Sequence, residues 1–93
     1  MDTPNTETLD TLSDRVIRLA ADQVGSSPEQ ISLDSRFVED LGFDSLNFVE
    51  FTMEIEDQFN ISVSDDVIQR IFTVRQAVDE IRKLIDSQNR SQE

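Results

Sequence analysis

Leu41-Gly42-Phe43-Asp44-Ser45-Leu46 divides this chain into two kinds of sequence. From Ile31 to Phe43 the apolar residues are not helically continuous and Gly42 interrupts them. From Ser45 to Phe59 there is neither Gly nor Pro, and Glu50, Glu54, Glu56 and Asp57 are interspersed with apolar residues. That pattern is an amphipathic helix opened by a turn. Asp44 is placed to cap it, because a carboxylate there accepts a hydrogen bond from an orphan N–H of the first turn. Ser45 then falls on the first turn with its hydroxyl exposed.

At 1.5 Å per residue the predicted helix 45–59 is about 22 Å long. Phe48, Phe51, Ile55 and Phe59 share one face, assigned to the core. The opposite face carries Glu50 and Asp57, together with Leu46 and Met53 and with Val49 at the border. Single exposed apolar residues are ordinary. Three in line beside Ser45 suggest instead a stripe on which a partner docks.

Upstream, Leu9, Leu12, Val16, Leu19 and Ala20 fall at helical spacing and predict a helix from Thr8 to Val24, stopped by Gly25. Residues 1–7 show no periodicity and are expected to form a disordered tail. Residues 26–43 make a long connection, with a capping-box form at Ser27-Pro28-Glu29-Gln30. Ile31, Leu33, Phe37, Val38 and Leu41 are expected to anchor it, since a connection of this length is uncommon unless it packs or works. Downstream, Ser64-Asp65-Asp66 begins a short helix ending near Ile71, with Val67, Ile68 and Ile71 inward. Thr73 and Gln76 form a capping box for a last helix, whose buried face is Val74, Ala77, Val78, Ile81, Leu84 and Ile85. Arg82 and Lys83 are read as its last turn, and residues 87–93 as frayed. The sum is an all-α four-helix bundle over 8–86, three main helices and a short third, with a long first loop.

Composition narrows the function. Ninety-three residues make one domain. The chain has no Cys and no His, which removes a disulfide, a thiolate metal site and the usual general base. Twenty acids against eight bases give a net charge of −12, which argues against nucleic acid and anionic membranes. All six aromatic residues are Phe. Glu39, Asp40, Asp44, Glu50, Glu54, Glu56, Asp57, Asp65 and Asp66 follow one another with no Lys or Arg between. Such a run is either a solvated face or an electrostatic address that steers basic partners toward Ser45. The D-x-[DN]-x-[DN]-G pattern of a calcium loop does not occur, and no metal site is expected. The polar, acidic start is unlike a targeting peptide, no apolar run approaches a membrane span, and a cytoplasmic location is expected.

Asp44-Ser45-Leu46, preceded by Phe37-Val38-Glu39-Asp40-Leu41-Gly42, resembles the acyl carrier protein family, and the resemblance runs without gaps from about Thr11 to Ile85. It implies a free-standing, non-enzymatic carrier that holds acyl groups as thioesters on a 4′-phosphopantetheine taken from coenzyme A. The arm would be attached at Ser45, with Asp44 beside it. The implied partners are a phosphopantetheinyl transferase and acyl-transferring and acyl-processing enzymes with basic docking surfaces, the carrier itself being a monomer. Leu46, Asn47, Val49, Glu50, Met53, Glu54 and Asp57 are the expected partner surface. Phe37, Phe48, Ile55, Ile68, Ile71 and Ala77 are the expected acyl pocket, between the second and short third helices. The chain departs from the family pattern at Asn47, Val67 and Gln69, where acids are frequent, and at Phe48 and Ile68, where smaller residues are common. A fatty-acid-type carrier is the first reading. A specialised carrier for polyketide, modified-lipid or aminoacyl chemistry is the second, and an unmodified acidic helical adaptor is the rival of another class.

Overall fold

The computed structural model describes the backbone of residues 4–91 and the side chains of residues 12–88. Four α-helices follow one another: α1 (Pro4–Val24), α2 (Ser45–Phe59), α3 (Asp65–Gln69) and α4 (Val74–Ser91). A 3₁₀ turn, Pro28–Gln30, interrupts the long first connection. No strand occurs among the described residues, and one isolated bridge joins Arg36 to Thr73. The all-α architecture with a short third helix is therefore the one expected.

Several boundaries differ. α1 begins at Pro4 rather than Thr8: Pro at a first helical position has its φ preset, and no Gly or Pro follows before Val24. α4 likewise continues to Ser91, with no breaker after Val74. Arg82 and Lys83 therefore lie inside it rather than in its last turn, where they face Asp79 at 3.7 Å and Glu80 at 3.9 Å. The expected disorder at 1–3 and fraying at 92–93 fall outside the described residues, as does the Leu9 side chain.

The helix ends follow local chemistry. Gly25 takes φ 68°, and the Ser26 N–H donates to the Ala21 carbonyl at 3.1 Å, closing α1 with a Schellman turn. Ser27 accepts no side-chain capping bond, so the box read there is absent and the 3₁₀ turn rests on Pro28 and backbone bonds alone. The box at α4 is present: the Gln76 N–H donates to Thr73 Oγ1 at 3.3 Å, and Gln76 Oε1 accepts from the Thr73 N–H at 3.0 Å.

α1 packs on both α2 and α4. The core draws Val16, Leu19, Ala20 and Ala21 from α1, Phe51 and Ile55 from α2, and Val74, Ala77, Val78 and Ile81 from α4. The connection joins this core through Ile31, Phe37 and Phe43, which are buried, and Leu33 and Leu41, which are partly so. Val38, read as a fifth anchor, is 61% exposed. The reason is the tight turn after Phe37: Gly42 takes φ 76°, and the Phe43 N–H returns to the Phe37 carbonyl at 2.8 Å. Phe37 and Phe43 thereby point inward and Val38 outward. Three backbone bonds tie the loop to the α3–α4 link and the start of α4, Phe37 to Phe72, Val74 to Ser35 and Arg75 to Leu33, at 2.8–3.0 Å.

Phe37 is the centre of an aromatic cluster. Its ring lies 5.0 Å from Phe43, 5.5 Å from Phe48 and 5.4 Å from Phe51, all tilted or edge-on. Such pairs contribute about 0.5–1.5 kcal/mol each beyond their area. Phe37→Ala should therefore cost about 3–5 kcal/mol in a urea unfolding titration. A loss under about 1 kcal/mol, within the range of surface substitutions, would show that the loop does not depend on this ring.

Candidate functional site

The N-terminal turn of α2 is built from both sides. The Asp44 carboxylate accepts from the Asn47 N–H at 2.9 Å, and Asn47 Oδ1 accepts from the Asp44 N–H at 3.0 Å. This is a reciprocal capping box with Asn in the place of the usual Glu or Gln. Beneath it Phe43, just before the cap, packs edge-on against Phe48 in the first turn at 5.1 Å, a hydrophobic staple. The chain is thus pinned immediately before and after Ser45, while Ser45 itself is exposed as the first residue of the helix.

This geometry suits a phosphodiester. The Ser45 and Leu46 amides belong to the first turn, whose N–H groups have no acceptor within the helix. Together with the helix dipole they favour negative charge at that end. Asp44, although acidic and adjacent, has its carboxylate engaged by the Asn47 N–H.

The acidic tract is not uniform. Arg36 reaches Glu39 at 3.1 Å and Asp40 at 3.3 Å. The Arg36 backbone N–H, bonded to Asp40 at 2.8 Å, and then its guanidinium hold the Asp40 carboxyl below the ordinary carboxylate range. Glu56 accepts from the Val63 N–H at 2.8 Å and fixes the link after α2. Glu50, Glu54 and Asp57 make no ion pair among the described residues and are exposed beside Leu46, Val49 and Met53. Those three apolar residues are 62%, 54% and 61% exposed, so the face read as outward is outward. Asn47 is the exception: it is half-buried, its amide occupied by Asp44 and by Gln23 of α1.

The expected pocket is only partly assembled. A cavity of about 20 Å³ lies among α2, α3 and α4, room for about one water molecule. Of the residues read as a pocket, Ile55, Ile71 and Ala77 line it, with Phe51, Thr52, Val63, Val67, Ile81 and Leu84. Phe37 and Phe48 do not, because both belong to the aromatic cluster around Phe43. Ile68 does not either: it is only partly buried, and Val67 beside it is the buried residue of α3. Phe48 and Ile68 are therefore not what narrows this space. Phe43 and Gln23 were missed by the sequence reading. The apolar residue just before the Asp44 cap was a usable signal for Phe43; none marked Gln23.

A small helical domain that offers one exposed serine at a stapled helix start, with no His or Cys in the sequence and no metal-ligand cluster among the described residues, has the layout of a carrier of a covalent group. The family defined by a phosphopantetheine attachment site matches residues 14–81. An acyl carrier protein of Rickettsia bellii is 44% identical over 75 residues, 81% of this chain and 87% of that protein. The solution structure of an apo doublet acyl carrier protein from prodigiosin biosynthesis is similar at a TM-score of 0.71 and 32% identity. That match covers 83% of this chain, which spans 37% of the doublet. The chain belongs to the acyl carrier protein family, and its prosthetic group is 4′-phosphopantetheine. No helix among the described residues is long and apolar enough to cross a membrane.

The geometry separates cap from surface by stability. Asp44→Ala should cost about 0.5–2 kcal/mol, whereas Met53→Ala and Glu50→Lys should change stability by less than about 0.5 kcal/mol. Chemical denaturation of the three variants checks this; a large loss for Met53→Ala would place that face inside the fold.

Proposed function

We propose that Ser45 carries the phosphopantetheine arm and that the domain presents acyl groups to fatty-acid-type biosynthetic enzymes, without catalysing a reaction itself. The observation that carries this is the exposed Ser45 at the start of α2, held by the Asp44–Asn47 box over the Phe43–Phe48 staple. Bound there, the arm supplies the thiol on which acyl groups ride as thioesters, a chemistry this chain lacks. In the loading step the Ser45 oxygen forms the new bond to phosphorus and the bond to adenosine bisphosphate breaks. The serine proton leaves to a base of the transferase, since this chain holds no His.

Glu50, Glu54 and Asp57, in no ion pair among the described residues, with Leu46, Val49 and Met53 between them, form the surface on which the transferase and acyl-processing enzymes dock. Basic enzyme surfaces are steered to it by charge and held by the apolar stripe. We place this work in the cytoplasm, where coenzyme A and the transferase are available, with the carrier as a monomer. A specialised pathway is the second reading. It is favoured by the uncharged Asn47, Val67 and Gln69, and by the likeness to a doublet from prodigiosin biosynthesis.

Incubation with coenzyme A and a broad-specificity phosphopantetheinyl transferase should add the mass of one phosphopantetheinyl group. The Ser45→Ala protein should fold and gain nothing. Modification persisting in that variant, or absent from the wild type, sinks the assignment, and the second outcome leaves the adaptor reading.

Cargo length follows from the cavity. With room for about one water, an acyl chain longer than a few carbons enters only if α3 or its neighbours move, and interiors resist such repacking. Octanoyl and acetyl thioesters of the holo protein should therefore hydrolyse at similar rates. Val67→Ala should open space and slow octanoyl hydrolysis selectively. Strong protection of octanoate in the wild type, with amide shifts at Val67, Ile71 and Ala77, would show that the cavity opens unaided.

A further inference from the structure

We infer that Asn47 is a positioning residue for Ser45: its single amide joins the C-terminal end of α1 to the first turn of α2. The inference rests on Ser45 being the attachment residue.

Two helix ends of opposite polarity meet at this side chain. Asn47 Oδ1 accepts from the Asp44 N–H at 3.0 Å, at the electropositive start of α2. Its Nδ2 points the other way, donating to the Gln23 carbonyl at 3.4 Å and lying 3.5 Å from Gln23 Oε1. Gln23 is in the last turn of α1, where carbonyls have no partner within the helix and the dipole is negative. The pairing needs a side chain that both donates and accepts. A carboxylate accepts only, and would set negative charge against the negative end of α1. Asn satisfies both ends.

The consequence lies at Ser45. The cap residue before it is tied through Asn47 to α1, the helix that packs against both α2 and α4. With the donor lost, the Asp44–Ser45 turn keeps its box yet is no longer fastened to α1. The serine oxygen is then presented over a wider range of positions, and orientation is what the transferase requires of a substrate that brings no base of its own.

The test uses Asn47→Asp, which retains an acceptor for the Asp44 N–H and a residue type suited to a first turn, and Asn47→Gln, which retains both donor and acceptor. Full-length wild type and both variants are compared as substrates of one phosphopantetheinyl transferase with coenzyme A. Amide exchange is followed at Phe48, whose N–H donates to the Asp44 carbonyl at 3.0 Å. Asn47→Asp should lower kcat about three- to tenfold, the size of one lost hydrogen bond, without raising KM, and should speed Phe48 exchange. Asn47→Gln should lie nearer the wild type in both. An unchanged kcat overturns the inference, as does a changed KM with kcat and Phe48 exchange unaltered, which would make Asn47 an enzyme contact. If the wild type is not modified, the Ser45 reading fails by itself, and unchanged Phe48 exchange in Asn47→Asp would still refute the tether.

Discussion

Burial of Phe37 among Phe43, Phe48 and Phe51 is the constraint on which the rest depends. The segment 26–44 has one 3₁₀ turn and no other regular structure, so backbone pairing alone would not order it. Phe37 anchors it from the loop side, and Phe48 and Phe51 receive it on α2. Phe43 closes the cluster one residue before the Asp44 cap. The position of Ser45 is therefore set by apolar packing two residues away and by the cap next to it. Ser45 itself is left exposed, as the proposed attachment of the arm requires.

The same arrangement sorts the charges. Asp44 caps, Glu56 bonds the Val63 amide, and Glu39 and Asp40 face Arg36. Asp40 is held below the usual carboxylate range, so its stabilising contribution is present above its unfolded pKa and is lost as pH falls through the depressed folded value. Of the acids of the tract left over, Glu50, Glu54 and Asp57 lie on the exposed face of α2, and Asp65 and Asp66 at the start of α3. A net charge of −12 does not by itself distinguish solubility from recognition. The pairing of some acids and not others concentrates the free charge where a partner of Ser45 would meet it.

What the sequence conveyed followed local rules. The absence of Gly and Pro gave α2 its bounds, Ser45–Phe59, and the Thr73–Gln76 spacing gave the cap of α4. What it withheld depended on the path of the loop. Val38 looks like Phe37 in an apolar list, and only the Gly42 turn turns it outward. Asn47 looks like a surface polar residue on a helical wheel, and only the approach of Gln23 half-buries it. Phe48 was assigned to the core correctly but to the wrong neighbours, because a wheel gives a face and not the element that covers it. The cavity is consequently bounded by Val63 and Val67 where Phe48 and Ile68 were expected.

The central claim is that a phosphodiester forms on the Ser45 oxygen, at a helix start fastened on both sides. It is tested most directly by phosphorus-detected NMR of the protein after incubation with coenzyme A and a phosphopantetheinyl transferase. One phosphodiester resonance is expected, correlated through bonds to the Ser45 β-protons, with amide shifts centred on residues 44–48. A resonance correlated to another serine, or no phosphodiester resonance, would contradict it.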